Sequence, residues 1–159
     1  MMRSAKLVAP DAGRVVGVVG DVYRFLATGA DTDGKYALWE AVVTSGGGPP
    51  PHVHRREEES FYILEGQITI TLGDERLVAG AGMFVNVPVG TRHAFKNESD
   101  QPAKMLISVA PAGLENMFFE VGTELPAGSV AVAPPTPEEI ARLLAIAPRY
   151  GVEIEKPAH

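Results

Sequence analysis

The stretch GGGPPPHVHRREEESFYILEG, residues 46–66, leaves this chain fewer possible folds than any other. His52 and His54 are two apart, so on an extended strand their side chains leave the same face, whereas on a helix they would diverge by about 200°. Glu59 lies five positions beyond His54, the wrong parity for one uninterrupted strand. Arg55, Arg56, Glu57 and Glu58 are therefore expected to hold a corner, after which Glu59 opens a second strand over ESFYIL. Three candidate metal ligands within eight residues thus call for short strands meeting at corners.

The rest of the chain has the same texture. Seventeen Gly and thirteen Pro are scattered between short apolar runs rather than pooled in a linker, the pattern of an all-β sandwich or barrel. Strands are expected near 14–19, 22–28, 35–44, 52–54, 60–64, 67–72, 75–79, 83–88, 92–97 and 103–110. QITITL alternates most clearly, with Ile68, Ile70 and Leu72 on one face and Gln67, Thr69 and Thr71 on the other. Glu65-Gly66 and Gly73-Asp74 both have the composition of hairpin turns. After the Pro-rich connector AVAPPTP, Thr136-Pro137-Glu138-Glu139 forms a capping box with Pro at the first helical position. Ile140, Leu143, Leu144 and Ala147 follow at helical spacing, so a helix is expected over about 136–148 with its apolar stripe on the barrel or a second subunit. One domain, 1–159, with a barrel core at about 14–110, accounts for the chain.

Composition narrows the chemistry. A net charge of −6 disfavours nucleic acid and anionic membranes, which need a basic face. The absence of cysteine removes disulfides and thiolate sites, so any metal must be held by nitrogen and oxygen. No run of about 18 apolar residues offers a membrane span. Asp11 and Arg14 break up any signal-peptide core, and the expected location is the cytoplasm.

Two spaced blocks carry a resemblance. The first reads Gly46, five residues, His52-x-His54, four residues, Glu59, six residues, Gly66. The second reads Gly82, five residues, Pro88-x-Gly90, two residues, His93, three residues, Asn97. Together they resemble the paired signature motifs of the cupin superfamily, with each defining position filled. The resemblance implies an all-β double-stranded β-helix, or jelly-roll barrel, here with a C-terminal α-helix. It also implies one divalent transition metal (Mn, Fe, Ni, Co, Cu or Zn) on His52, His54, Glu59 and His93. Three neutral imidazoles and one carboxylate would leave a net charge near +1 and, in an octahedral shell, two open positions.

The first block, PAGLENMFFEVG at 111–122 and the tail at 136–154 further resemble small single-domain cupins grouped with quercetin 2,3-dioxygenases. That likeness implies a dioxygenase acting on a flavonol-like or other enolizable hydroxy-ketone, with Glu59 as catalytic base. The alternatives are a metal-dependent isomerase or cyclase, an oxalate-type oxidase, or a non-catalytic module that binds a small ligand. The partners implied are a small-molecule substrate, dioxygen and a second subunit in a homodimer.

Parity extends the site. Phe61 and Ile63 share the face of Glu59, and Phe95 and Asn97 share that of His93. Phe61, Ile63, Phe95, Met105 and Ile107 are the candidate pocket residues. Trp39 is placed equally in core or cavity, and Asn97 is read as supporting a turn. Glu57, Glu58 and His159 are read as surface groups.

Overall fold

The computed structural model describes residues 2–156. All ten segments read as strands are strands. In chain order the first elements are β1 (Val15–Val18), β2 (Asp21–Ala27), the one-turn helix α1 (Gly29–Thr32), β3 (Ala37–Val43) and β4 (His52–His54). There follow β5 (Glu58–Glu65), β6 (Gln67–Leu72), β7 (Glu75–Gly80), β8 (Phe84–Val87), β9 (His93–Lys96) and β10 (Ala103–Ala110). Four shorter elements lack a clear alternation and escaped the sequence reading or blurred its bounds. These are α2 (Glu115–Val121), β11 (Thr123–Leu125), a 3-10 turn at Ala147–Tyr150 and β12 (Val152–Ile154). The expected C-terminal helix is α3, Pro137–Ile146, closed at its start by the Thr136–Glu139 capping box.

The strands form two antiparallel sheets, ordered β11-β1-β2-β3-β10-β5-β8 and β12-β4-β9-β6-β7. This is the expected all-β double-sheet jelly roll. Inward-facing residues alternate along β3 and β10, burying Ala37, Trp39, Ala41 and Val43 against Met105, Ile107 and Val109. From the opposite sheet Ile68, Ile70 and Phe95 close the core. No helix among the described residues is long and apolar enough to cross a membrane.

One expected hairpin is not a hairpin. β6 and β7 pair across Gly73-Asp74 as expected, but β5 and β6 belong to different sheets. At Glu65-Gly66 the chain turns a corner from one sheet into the other. Gly66 has φ 77, and a Cβ there would lie 3.1 Å from the Ala103 backbone, so the corner needs glycine for both conformation and space. Turn composition alone does not distinguish a tight hairpin from a change of sheet.

The site-bearing strand β4 is short, and its neighbours hold it. β9 pairs with it through His52 and His93, while β12 pairs Val152 with His54 and Ile154 with His52. The chain's tail is thus an edge strand that braces both histidines of β4. Upstream, Gly48 passes so close to β9 that a Cβ would stand 2.0 Å from the Phe95 carbonyl oxygen.

Asn97, as expected, supports a turn. It is fully buried, and its amide donates to the carbonyls of Val43 and Gln101 while its oxygen accepts from the Ser99 backbone N–H and hydroxyl. Truncation removes a donor from the buried Val43 carbonyl, which costs about 1–3 kcal/mol. Asn97→Ala is expected to lower unfolding free energy by about that amount in urea titrations; an unchanged midpoint would show that the network carries no net stability.

Candidate metal centre

The four residues singled out by spacing come together. His52, His54, Glu59 and His93 each offer one ligand atom, all within 4.8 Å of one another, and all four side chains are buried. Both sheets contribute, since β4 and β9 carry the histidines and β5 carries Glu59. The corner expected between His54 and Glu59 falls at 55–57, and β5 begins at Glu58.

The outer nitrogens fix what the inner ones can do. His52 Nδ1 lies 2.9 Å from the Pro50 carbonyl oxygen, and His93 Nδ1 lies 2.8 Å from that of Thr91. A carbonyl only accepts, so each Nδ1 must donate, and in the neutral ring Nε2 carries the lone pair. These Nε2 atoms point inward. His52 Nε2 is 3.1 Å from His54 Nε2, His93 Nε2 is 2.9 Å from Glu59 Oε1, and His54 Nε2 is 3.4 Å from the same oxygen. Ligands at about 2.0–2.1 Å from a metal lie roughly 2.8–3.4 Å apart along an octahedral or tetrahedral edge, so the spacings fit a shared ion. Electron-pair donors converging in this way need a cation among them.

The electrostatics of the metal-free cluster agree. Burial disfavours charge on His52, His54 and Glu59. It pushes His52 down to about 4, against the pull of Glu59 and with help from the neighbouring histidines. For His54 burial is outweighed by the charge and hydrogen bonding of Glu59 and Glu57, which raise it to about 9. For Glu59 burial is likewise outweighed, here by the charge and hydrogen bond of His54 and by the His93 bond, which hold it well below the usual carboxylate range. A proton on His54 fills the cationic role that a metal would take.

A cavity of about 910 Å³ opens over the cluster. His52, His54 and Glu59 stand in its wall with Tyr23, Trp39 and Phe118, which form one aromatic group with ring centroids 5.0–5.9 Å apart.

Comparisons with known proteins agree with this geometry. The cupin domain family model matches residues 39–109, from Trp39 in β3 to Val109 in β10, and encloses all four ligands. The fold is that of a cupin. Over 66 residues it is 31% identical to Polyketide synthase CurC of Streptomyces cyaneus, covering 42% of this chain and 43% of that protein. Over 106 residues it is 26% identical to quercetin 2,3-dioxygenase of Bacillus subtilis (strain 168), covering 66% of this chain and 31% of that protein. The chain therefore spans less than half the length of these curated relatives. An RmlC-like cupin from Shewanella frigidimarina NCIMB 400 superposes with a TM-score of 0.62 at 16% identity, over 73% of this chain and 99% of that one.

Within this cupin fold the other expected site residues divide. Phe95 and Ile107 line the cavity. Phe61, Ile63 and Met105 do not; they are completely buried, and Phe61 packs against Phe95 at 5.6 Å between ring centroids. Parity identified the inward face, but on β5 and β10 the opposite sheet covers much of that face. Trp39 belongs to both, since it is buried in the core and also lines the cavity. The apolar stripe of α3 packs on the barrel core through Leu143, as expected, with Ile146 beside it, and Ile140, Leu143 and Leu144 also line the cavity. Tyr23 and Phe118 were missed, although Tyr23 stands in a segment whose alternation was legible.

Glu58 is exposed and accepts from Asn86, as a surface group should. Glu57 is not a surface group. It is 4% exposed and faces His54 Nδ1 at 3.6 Å. Its parity with Glu59 was the available signal. His159 lies outside the described residues.

Asp21 was also missed, though an acid in the apolar run VVGDVY is itself a signal. It lines the cavity, and its Oδ1 accepts from the Thr44 backbone N–H at 3.2 Å and hydroxyl at 3.3 Å. Burial raises its carboxyl to about 6, against the lowering effect of those bonds. Because the folded value lies above the unfolded one, the folded state binds more protons between about pH 4 and 6, and stability falls as pH rises through that window. Asp21→Asn should remove this fall and stabilise the protein at pH 7 by on the order of 2 kcal/mol. Urea midpoints of the unsubstituted protein and of Asp21→Asn, measured from pH 4 to 7, test this; His52, with its lowered value, adds the opposite slope to both proteins, so a difference between them that does not change with pH would contradict it.

Proposed function

We propose that this cupin is a metal-dependent dioxygenase acting on a flavonol-like or other enolizable hydroxy-ketone. The observation that carries the reading is a buried three-histidine, one-carboxylate donor set, of which His52, His54 and Glu59 stand in the wall of an aromatic cavity. His52, His54, Glu59 and His93 would hold one divalent ion. Bound there, a redox-capable ion supplies Lewis acidity toward the substrate oxygens and a site for dioxygen chemistry. The partial match to quercetin 2,3-dioxygenase supports this choice among metal-dependent reactions.

The chain's own groups fit the steps that remain. Glu59 is the base nearest to a hydroxyl reaching the cluster, and it takes the hydroxyl proton. A carboxylate held ionised by its neighbours is a weak base, so this transfer depends on prior acidification of the hydroxyl. The resulting anion has an electron-rich ring. Dioxygen adds to that ring, and cleavage leaves both oxygen atoms in the product. Trp39, Tyr23 and Phe118 offer flat surfaces to an aromatic substrate and exclude water from the reacting edge.

The match to Polyketide synthase CurC favours a second reading, in which the same cavity isomerises or cyclises an enolizable substrate without consuming oxygen. An oxygen electrode separates the two on a panel of flavonols and other enolizable compounds. The dioxygenase reading predicts one dioxygen consumed per product formed. Product without oxygen uptake would favour isomerase or cyclase, and stoichiometric binding without product would make the protein a binding module. Within the dioxygenase reading, Glu59→Gln should retain much of the metal yet lose about 10²–10⁴-fold in turnover. Unchanged turnover would contradict the base assignment.

A further inference from the structure

We propose that Glu57 is a positioning residue of the centre: its carboxylate accepts the Nδ1–H of His54 and holds the Nε2 lone pair on the metal. This inference rests on the metal reading of the four-donor cluster. It adds to that reading a fifth residue, one that does not touch the metal.

The three histidines differ in what restrains their outer nitrogens. His52 and His93 each meet a main-chain carbonyl two residues upstream, at hydrogen-bonding distance. His54 meets no carbonyl. Its Nδ1 faces Glu57 Oε2 at 3.6 Å, and among the described residues neither atom has any other partner although both are buried. A buried imidazole nitrogen and a buried carboxylate oxygen left unpartnered are each destabilising, because both have lost their water. At 3.6 Å the pair is wider than a formed bond, and a shift of roughly half an ångström by either side chain closes it. The ring of His54 thus lies between two carboxylates, with Glu57 beside Nδ1 and Glu59 beside Nε2 at 3.4 Å. The same backbone feature places both acids, since Glu57 and Glu59 are two apart where the corner runs into β5.

Charge supplies an independent argument. A divalent ion with three neutral imidazoles and Glu59 leaves one net positive charge in a buried site, which is costly without a counter-charge. The Glu57 carboxylate brings the cluster to neutrality. A carboxylate on the outer nitrogen also fixes the tautomer and strengthens the imidazole as a ligand, and loss of such partners lowers metal affinity about 10–100-fold.

The test uses zinc, which is diamagnetic. Zinc affinity is measured by competition with a chromophoric chelator in the unsubstituted protein and in Glu57→Leu, Glu57→Gln and Glu58→Gln, with thermal unfolding of each metal-free form as a check on folding. His54 tautomer is read in the zinc-loaded protein by long-range ¹H–¹⁵N correlation. Expected are an Nδ1–H tautomer, a loss of about 10–100-fold in affinity for Glu57→Leu, a smaller loss for Glu57→Gln, whose amide oxygen can still accept, and no change for the exposed Glu58→Gln. If Glu57→Leu does not fold, the tautomer and Glu57→Gln decide: an Nε2–H tautomer, or Glu57→Gln affinity equal to the unsubstituted protein together with an unchanged His54 resonance, overturns the proposal. Glu57→Leu binding zinc within threefold of the unsubstituted protein overturns it alone. Unsubstituted protein that takes up no zinc overturns the metal reading, and this inference with it.

Discussion

Mutual repulsion among the inner donor atoms is the constraint that the rest of the structure answers. Three imidazole nitrogens and a carboxylate oxygen meet at spacings of 2.9–3.4 Å in a buried space. Left alone they would move apart or take up protons, and the raised His54 shows the second response. Two packed sheets prevent the first. β4 is held between β9 and β12, Glu59 is fixed on β5 between β10 and β8 of the opposite sheet, and carbonyls at Pro50 and Thr91 lock two of the three rings. Antiparallel strands hold such a constellation more rigidly than loops do.

The cavity follows from where the sheets are and are not filled. Ile68 and Ile70 join Phe61, Ile63 and Met105 in the filled core, while Glu59, Phe95 and Ile107 reach the cavity. On the β2–β3 side the wall is Tyr23 and Trp39, backed by Phe118 of α2, and the space stays open. Residues of α3 line its mouth, which makes the C-terminal helix part of the cavity's boundary as well as of the fold. An aromatic wall beside a metal-binding cluster suits a flat, oxygenated substrate. It also explains why the same fold can serve oxygenase, isomerase or binding roles with few changes.

Much of this was legible in the sequence because it is periodic or spaced. Alternation in QITITL and AKMLISVA marks strands, and the parity break between His54 and Glu59 marks the corner. The four-donor cluster was legible because its members sit at fixed intervals from glycines that shape the turns. What escaped depends on long-range packing. Glu65-Gly66 looks like any hairpin turn until the sheet assignments of β5 and β6 are known. Phe61, Ile63 and Met105 share the correct face, but coverage by the opposite sheet takes them out of the cavity. β12 is three residues without alternation, and only its pairing with β4 gives it meaning. Glu57 was lost in a charged run, where composition suggests surface and parity alone says otherwise.

The claim beneath all of this is that the cluster holds one divalent metal with exchangeable positions left open. Elemental analysis of protein purified without added metal, followed by reconstitution and X-ray absorption at the bound metal's edge, tests it directly. The account predicts about one divalent ion per chain, three imidazoles and one carboxylate in the shell, additional exchangeable oxygen ligands, and loss of the ion in His52→Ala/His54→Ala. Protein that binds no stoichiometric metal even on reconstitution, or keeps it without those two histidines, would contradict it.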